Sequence, residues 1–237
     1  MLTTHKAIVL SSIKYADYDL IVKCYTDQGI KSYIIKRIYK QSKGKLTPAF
    51  FLPLTQLEIT ANYSEKRTLH FINEAKISYP YTTVFSNIIK QTIVIFLAEI
   101  LTTTLREEES NTPLFSFLET SLQWFDTHSN ATDFHLIFLM RLTKYLGFYP
   151  EVDTASLYFD LLHGKSTNHL ESNYFISGEL SANFMELLQT NFDTENHQNY
   201  KNKTRQELLD VILQYYELHV PDYKKPKSLE VFKTIFH

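Results

Sequence analysis

The stretch DLIVKCYTDQGIKSYIIKR, residues 19–37, decides the fold. It holds two runs of β-branched and aromatic residues, DLIVKCYT and IKSYIIKR, joined through DQG, a short hairpin signal. Working outward, HKAIVLSS precedes the pair, and LTQLEITA and RTLHFINEAKI follow it, each bounded by turn-like polar clusters. NYSEKR joins the last two runs, while a basic connection ending SKGKLTPAF separates the third from the fourth. Five short antiparallel strands within the first 80 residues fit a small closed barrel. Among five-stranded barrels, the OB-fold is the one most often found gripping nucleic acid.

After residue 82 the apolar period becomes helical. Val84, Phe85, Ile88, Ile89, Ile93, Phe96, Leu97, Ile100 and Leu101 share one broad face of a helix expected to end near Arg106. NTPLFSFLETSLQWFD places Thr112 as N-cap and Pro113 at the first helical position. ATDFHLIFLMRLTKYLGFYP predicts a helix that stops at Gly147, with Pro150 just beyond. TRQELLDVILQYYELHV opens with Thr204 three residues before Glu207, the pattern of a capping box. Residues 151–178 carry no clear period. The expectation is an α+β protein, with an OB-fold nucleic-acid-binding domain over residues 1–80 and a mainly α-helical domain over residues 81–237.

Composition agrees with a packed body. The 237 residues are 44% hydrophobic and 14% aromatic, enough for a sizeable core, and five Gly and seven Pro leave little for Gly-rich cofactor cradles. One cysteine, Cys24, can form neither an intramolecular disulfide nor a zinc site with others of its kind, and reads as a small buried apolar residue. MLTTHKAIVLSSIKY does not read as a secretory signal, and IIKQTIVIFLAEIL, interrupted by Lys90, Gln91 and Glu99, is too short and polar to span a bilayer.

Charge divides the chain at the place where the period changes. The first 80 residues have a formal charge of +6 and the remainder −8, although the whole is only −2. Such a boundary suggests two domains with different partners, the first of them a polyanion. Lys31, Lys36, Arg37, Lys40, Lys43 and Lys45 crowd residues 31–45 with no carboxylate among them. Tyr33 and Tyr39 are interleaved, and Tyr15, Tyr18 and Tyr25 lie on neighbouring segments. Phosphate-neutralising cations beside aromatic faces suit single-strand binding, because every base has a face to stack. A solvated, unused edge is the competing reading.

Enzymatic motifs are absent: there is no GxGxxG, P-loop, HExxH, GxSxG or paired-cysteine pattern. Asp126, His128, Asp133 and His135 fall within ten residues, but across a helix boundary where Asp, Ser, Asn and Thr act as caps and turn formers. Glu107, Glu108 and Glu109 point in different directions on a helix and read as a solvated helix end.

Four segments in order carry a family resemblance: AIVLSSIKYADYDLIVKCYTDQGI, IIKRIYKQSKGKLTPAFFLPLTQLEI, FHLIFLMRLTKYLGFYPEVD and HVPDYKKPKSLEVFKTIF. The chain resembles the RecO family of bacterial recombination and repair mediators. The resemblance implies an N-terminal OB-fold, a helical domain, a non-enzymatic and cytoplasmic, nucleoid-associated protein, and binding to single- and double-stranded DNA. It implies annealing of complementary strands and assistance to recombinase loading together with RecR, and it maps the family's basic segment onto Lys36, Arg37, Lys40, Lys43 and Lys45. Many relatives carry a four-cysteine zinc finger after the segment matching LGFYPEVD. TASLYFDLLHGKSTNH has no cysteine, so neither zinc nor any other cofactor is expected. Ala16 and Asp17 also stand where relatives usually show Gly and Glu.

The resemblance further implies docking of the C-terminal tail of single-strand DNA-binding protein, which has acidic residues before an apolar end. Arg141, Lys144, Tyr145 and Phe148 are the candidates, in a run with no acid between Asp133 and Glu151. The alternative is that Arg141 and Lys144 complement the negative end of their own helix. Two other readings of the whole remain: an RNA-binding OB-fold, or a protein–protein adaptor whose basic edge is incidental.

Overall fold

In β2 (Asp19–Thr26) and β3 (Gly29–Ile35), alternate side chains turn inward, burying Leu20, Val22 and Cys24 on one strand and Tyr33 and Ile35 on the other. The computed structural model describes residues 2–40, 46–64, 67–105, 110–129, 132–153, 155–194 and 200–235. They fall into two units, Met1–Thr127 and His128–His237.

In the first unit β1 (Leu2–Tyr15), β4 (Gln56–Asn62) and β5 (Leu69–Tyr79) join β2 and β3 in a closed barrel of order β1-β2-β3-β5-β4. β3 and β5 pair in parallel; the other seams are antiparallel. This is the expected OB-type barrel followed by helices. β1 serves two neighbours, pairing with β4 through Leu2–Ile8 and with β2 from Ala7 onward. Its register shifts between Val9 and Ser11, and there Ala7, Ile8, Val9 and Leu10 are all buried, breaking the alternation. A 3-10 turn, Pro48–Phe51, sends fully buried Phe51 into the barrel core.

Two helices share that unit. α1 (Ile88–Thr104) starts four residues later than the apolar face implied, because Asn87 caps it by accepting from the Ile89 and Lys90 amides. Val84 and Phe85 precede it in a segment pinned by buried Asp126, whose carboxylate accepts from the amides of Thr82, Thr83 and Val84 at 2.8–3.1 Å. α2 (Thr112–Thr127) is capped by Asn111, which accepts from the Leu114 amide at 3.0 Å, so Thr112 is already helical and is not the N-cap. Glu107, Glu108 and Glu109 lie outside the described residues.

In the second unit α3 (Phe134–Leu146) ends as expected at Gly147, whose φ of 83° supplies the left-handed cap. The segment without a period holds three strands of three residues each, too short to show one: β6 (Tyr158–Asp160), β7 (Lys165–Thr167) and β8 (Phe175–Ser177), in the order β7-β6-β8. α4 (Gly178–Gln189), α5 (Asn202–His219) and α6 (Leu229–Ile235) complete it. α5 begins two residues before Thr204, so the expected capping box does not form there. Arg205 replaces it, donating to Asn202 and the Tyr200 carbonyl while its Nε meets buried Asp133 at 2.6 Å. None of the described helices is long and apolar enough to cross a membrane.

Candidate nucleic-acid interface

β2 pairs with β1 on one side and β3 on the other, so the β1–β2 turn is brought beside the chain leaving β3. Asp19, the first residue of β2, ties the two together. Its Oδ2 accepts from Lys36 Nζ at 2.7 Å and its Oδ1 from the Arg37 amide at 2.8 Å. The Lys36 ammonium, and then the Arg37 amide, hold the Asp19 carboxyl below its ordinary range despite the opposing effect of burial. The Tyr39 amide donates to the Tyr18 carbonyl at 3.1 Å and the Lys40 amide to that of Arg37 at 3.0 Å, closing a tight turn. Arg37 sits within it at φ 56°, and Ala16 across from it at φ 51°, both in the left-handed region.

This scaffold presents two crossing cation–ring pairs. Lys14 Nζ lies 5.7 Å from the centre of the Tyr39 ring, and Lys40 Nζ lies 5.4 Å from that of Tyr18. Tyr15, Tyr18 and Tyr39 are all exposed, as is Ile13. Beside them a shallow notch lined by Ile34, Ile38, Leu46, Phe71 and Ile72 has Lys36 on its lining. Cations and aromatic faces are thus interleaved on one edge, able to meet phosphates and bases together.

The structure divides the six basic residues. Lys36, Arg37 and Lys40 share this edge; Lys43 and Lys45 lie outside the described residues. Lys31 sits opposite Cys24 near the far end of β3, roughly 16 Å from Lys36 at about 3.3 Å per strand residue. Of the tyrosines near the basic stretch, Tyr25 and Tyr33 do not reach this edge: Tyr25 is buried against Phe115 of α2, and Tyr33 is a core residue whose hydroxyl meets that of Tyr63 at 2.6 Å. Lys14 is the edge residue that sequence reasoning passed over. Its place in the strand leading into the Tyr15–Tyr18 turn was the signal available.

The proposed tail-docking residues diverge along α3. Arg141 donates through Nε and Nη2 to the Thr190 carbonyl at 3.3 and 2.8 Å, closing the end of α4. Phe148 stacks on His219 of α5 at 5.4 Å with its ring almost parallel, and meets Tyr215 and Tyr216. Lys144 is exposed and Tyr145 half-buried. The cluster of Asp and His around residue 130 is likewise dispersed into structural work: Asp126 pins the entry to α1, Asp133 pairs with Arg205, and His135 is fully buried beside Phe232. Among the described residues, no group of three His, Cys, Asp or Glu could hold a metal ion.

Comparison with known proteins covers the whole chain. Residues 1–81 match the family model described as recombination protein O N terminal, and residues 86–230 match recombination protein O C terminal. A protein of Flavobacterium psychrophilum named DNA repair protein RecO is 42% identical over 233 residues, 98% of each chain. One of the same name from Christiangramia forsetii is 41% identical over 238 residues, all of both chains, and one from Bacteroides fragilis is 36% identical over 242.

Proposed function

The chain belongs to the recombination protein O family, and from that premise we propose that it is a non-enzymatic, DNA-binding mediator of recombinational repair. The observation that carries the reading is the edge where Lys14, Arg37 and Lys40 alternate with Tyr15, Tyr18 and Tyr39. A strand laid along it gives its phosphates to the cations and its base faces to the rings. That leaves the Watson–Crick edges of the bases outward, where a complementary strand can pair with them. Annealing then needs no chemistry, only a surface that neutralises two polyanions and holds bases splayed. Double-stranded DNA is bound by the same cations through phosphates alone. In the proposal the protein works in the cytoplasm, on the nucleoid, with RecR and with the tail of single-strand DNA-binding protein, the latter at the Lys144 and Tyr145 surface of α3.

The test is annealing of complementary oligonucleotides by the purified chain and by a variant with Arg37, Lys40 and Lys43 all changed to Glu, Lys36 being left in place to hold Asp19. The variant is expected to keep its circular dichroism spectrum and lose both DNA binding and annealing, since exposed charges add little to folding but much to phosphate attraction. Retained affinity in the folded variant moves the binding site away from this edge.

A further inference from the structure

The opposite end of the barrel holds a second feature that the basic edge does not use. The start of β1, the β2–β3 turn, β3 and, between β4 and β5, Tyr63, Ser64, Arg67 and Thr68 line an open cavity of about 600 Å³, within the size range of small-ligand sites. His5, Lys31, Tyr63, Ser64, Arg67 and His70 are among its lining residues, and no described residue lining it is acidic. One side is aromatic: Tyr63 packs edge-on to His5 at 5.1 Å and tilted against His70 at 4.8 Å, with the Tyr33–Tyr63 hydroxyl pair beneath. The nearby carboxylate of Asp27 is occupied by His5 at 3.0 Å. Neither Lys31 nor Arg67 is salt-bridged to a described residue. His70 is 7% exposed, and its Nδ1 is buried with no hydrogen-bond partner among the described residues. Two cations without a salt bridge among the described residues, beside an aromatic wall and with no carboxylate among the described lining residues, suit an anion.

We propose that this end of the barrel binds a single nucleotide, its phosphate between Lys31 and Arg67 and its base against the Tyr63 and His70 rings. The inference deepens the DNA-binding reading and rests on it: the cavity would hold one nucleotide of a strand, a terminal or unstacked one, apart from the run of nucleotides on the Lys14–Lys40 edge. Burial, then the charges of Lys31 and Arg67, push the His70 imidazole below its ordinary range. His70 is therefore neutral when the cavity is empty, and an arriving phosphate favours its protonation. Among the described residues the groups around it are Lys31, Tyr33, Tyr63 and Arg67, with His5 on the same lining. Binding should therefore tighten as pH falls into the lowered range of His70, and His70→Phe should remove that gain.

Calorimetric titration of the full chain with deoxythymidine 5′-monophosphate, thymidine and inorganic phosphate tests this. The monophosphate is expected to saturate the protein, with thymidine and phosphate each about tenfold weaker or more, and Lys31→Ala with Arg67→Ala should cost about tenfold for the loss of charged hydrogen bonds. Both substitutions are at side chains outside the core, and an unchanged circular dichroism spectrum and melting temperature serve as the check on folding. Inorganic phosphate binding as tightly as the monophosphate would reduce the cavity to an anion site and overturn the proposal, as would failure of the monophosphate to saturate at millimolar concentration. The two readings fail separately. A chain that binds long strands but not the monophosphate loses the cavity alone, while one that binds the monophosphate but no strand loses the basic edge alone.

Discussion

Arg37 joins two things that are usually separate, a cation offered to solvent and a backbone held at φ 56°. An L side chain in that region costs about 1 kcal/mol or more relative to glycine. Arg37→Gly therefore isolates the charge from the turn. The melting temperature is expected to hold or rise, while the slope of log affinity for single-stranded DNA against log salt shrinks by about 0.7, one phosphate contact. Unchanged salt dependence would show that the guanidinium does not reach DNA. Ala16 poses the same backbone question on the facing turn, where the resemblance puts Gly in relatives; its φ of 51° explains why Gly belongs there. Neither left-handed residue was legible from composition, since nothing about Arg or Ala announces such a conformation. Lys36 was legible as a cation but not as an anchor, because Asp19 lies 17 residues away and only strand pairing brings it near.

Elements show where periodicity informs and where it fails. All five barrel strands announced themselves as runs of β-branched and aromatic residues between turn-like polar clusters, and α3 by its glycine stop, because each run is long enough to stand out. β6, β7 and β8 could not, being three residues apiece. Helix starts at Thr112 and Thr204 were misplaced because Asn111 caps one helix and Arg205 organises the other from inside, a contact with Asp133 that sequence spacing does not reveal. Arg141 belongs here too. Its guanidinium closes α4, so Arg141→Ala should cost stability, about 1–3 kcal/mol for a charged hydrogen bond, whatever it does to binding. Lys144, exposed on the next turn, is the cleaner probe of tail docking. Lys144→Ala is expected to leave the melting temperature unchanged and to weaken binding of an acidic, apolar-ended peptide in calorimetry. Equal affinity for the peptide removes α3 from the docking site.

At the scale of the whole molecule, acid is the stress to which this sequence is tuned. Burial, then the charge of Arg205, pushes the His135 pKa down from 6.5 to about 3. Between those values the unfolded chain binds a proton that the folded chain refuses, so stability is full above pH 6.5 and falls as pH drops, by up to about 1.4 kcal/mol per pH unit. Asp126 adds a second, more acidic loss. Burial alone would raise its pKa, but the Thr82, Thr83 and Val84 amides hold it below the ordinary value of 3.8, so its contribution disappears as pH falls through that lower value. Urea unfolding at pH 7, 6 and 5 should show the first effect, and His135→Leu should flatten the curve over that window. A variant as steep as the parent would assign the slope to other groups.

The barrel core also contains Cys24, fully buried, with its thiol pushed above the ordinary range by that burial. A thiol in that state does not meet solvent reagents as a thiolate, so alkylation must wait for the strands around it to part. Because the sequence has no other cysteine, each modified molecule records one such opening. The native chain thus comes with its own timer for barrel breathing. Whether a bound strand slows that timer can be followed by mass alone, without adding a dye or changing a residue.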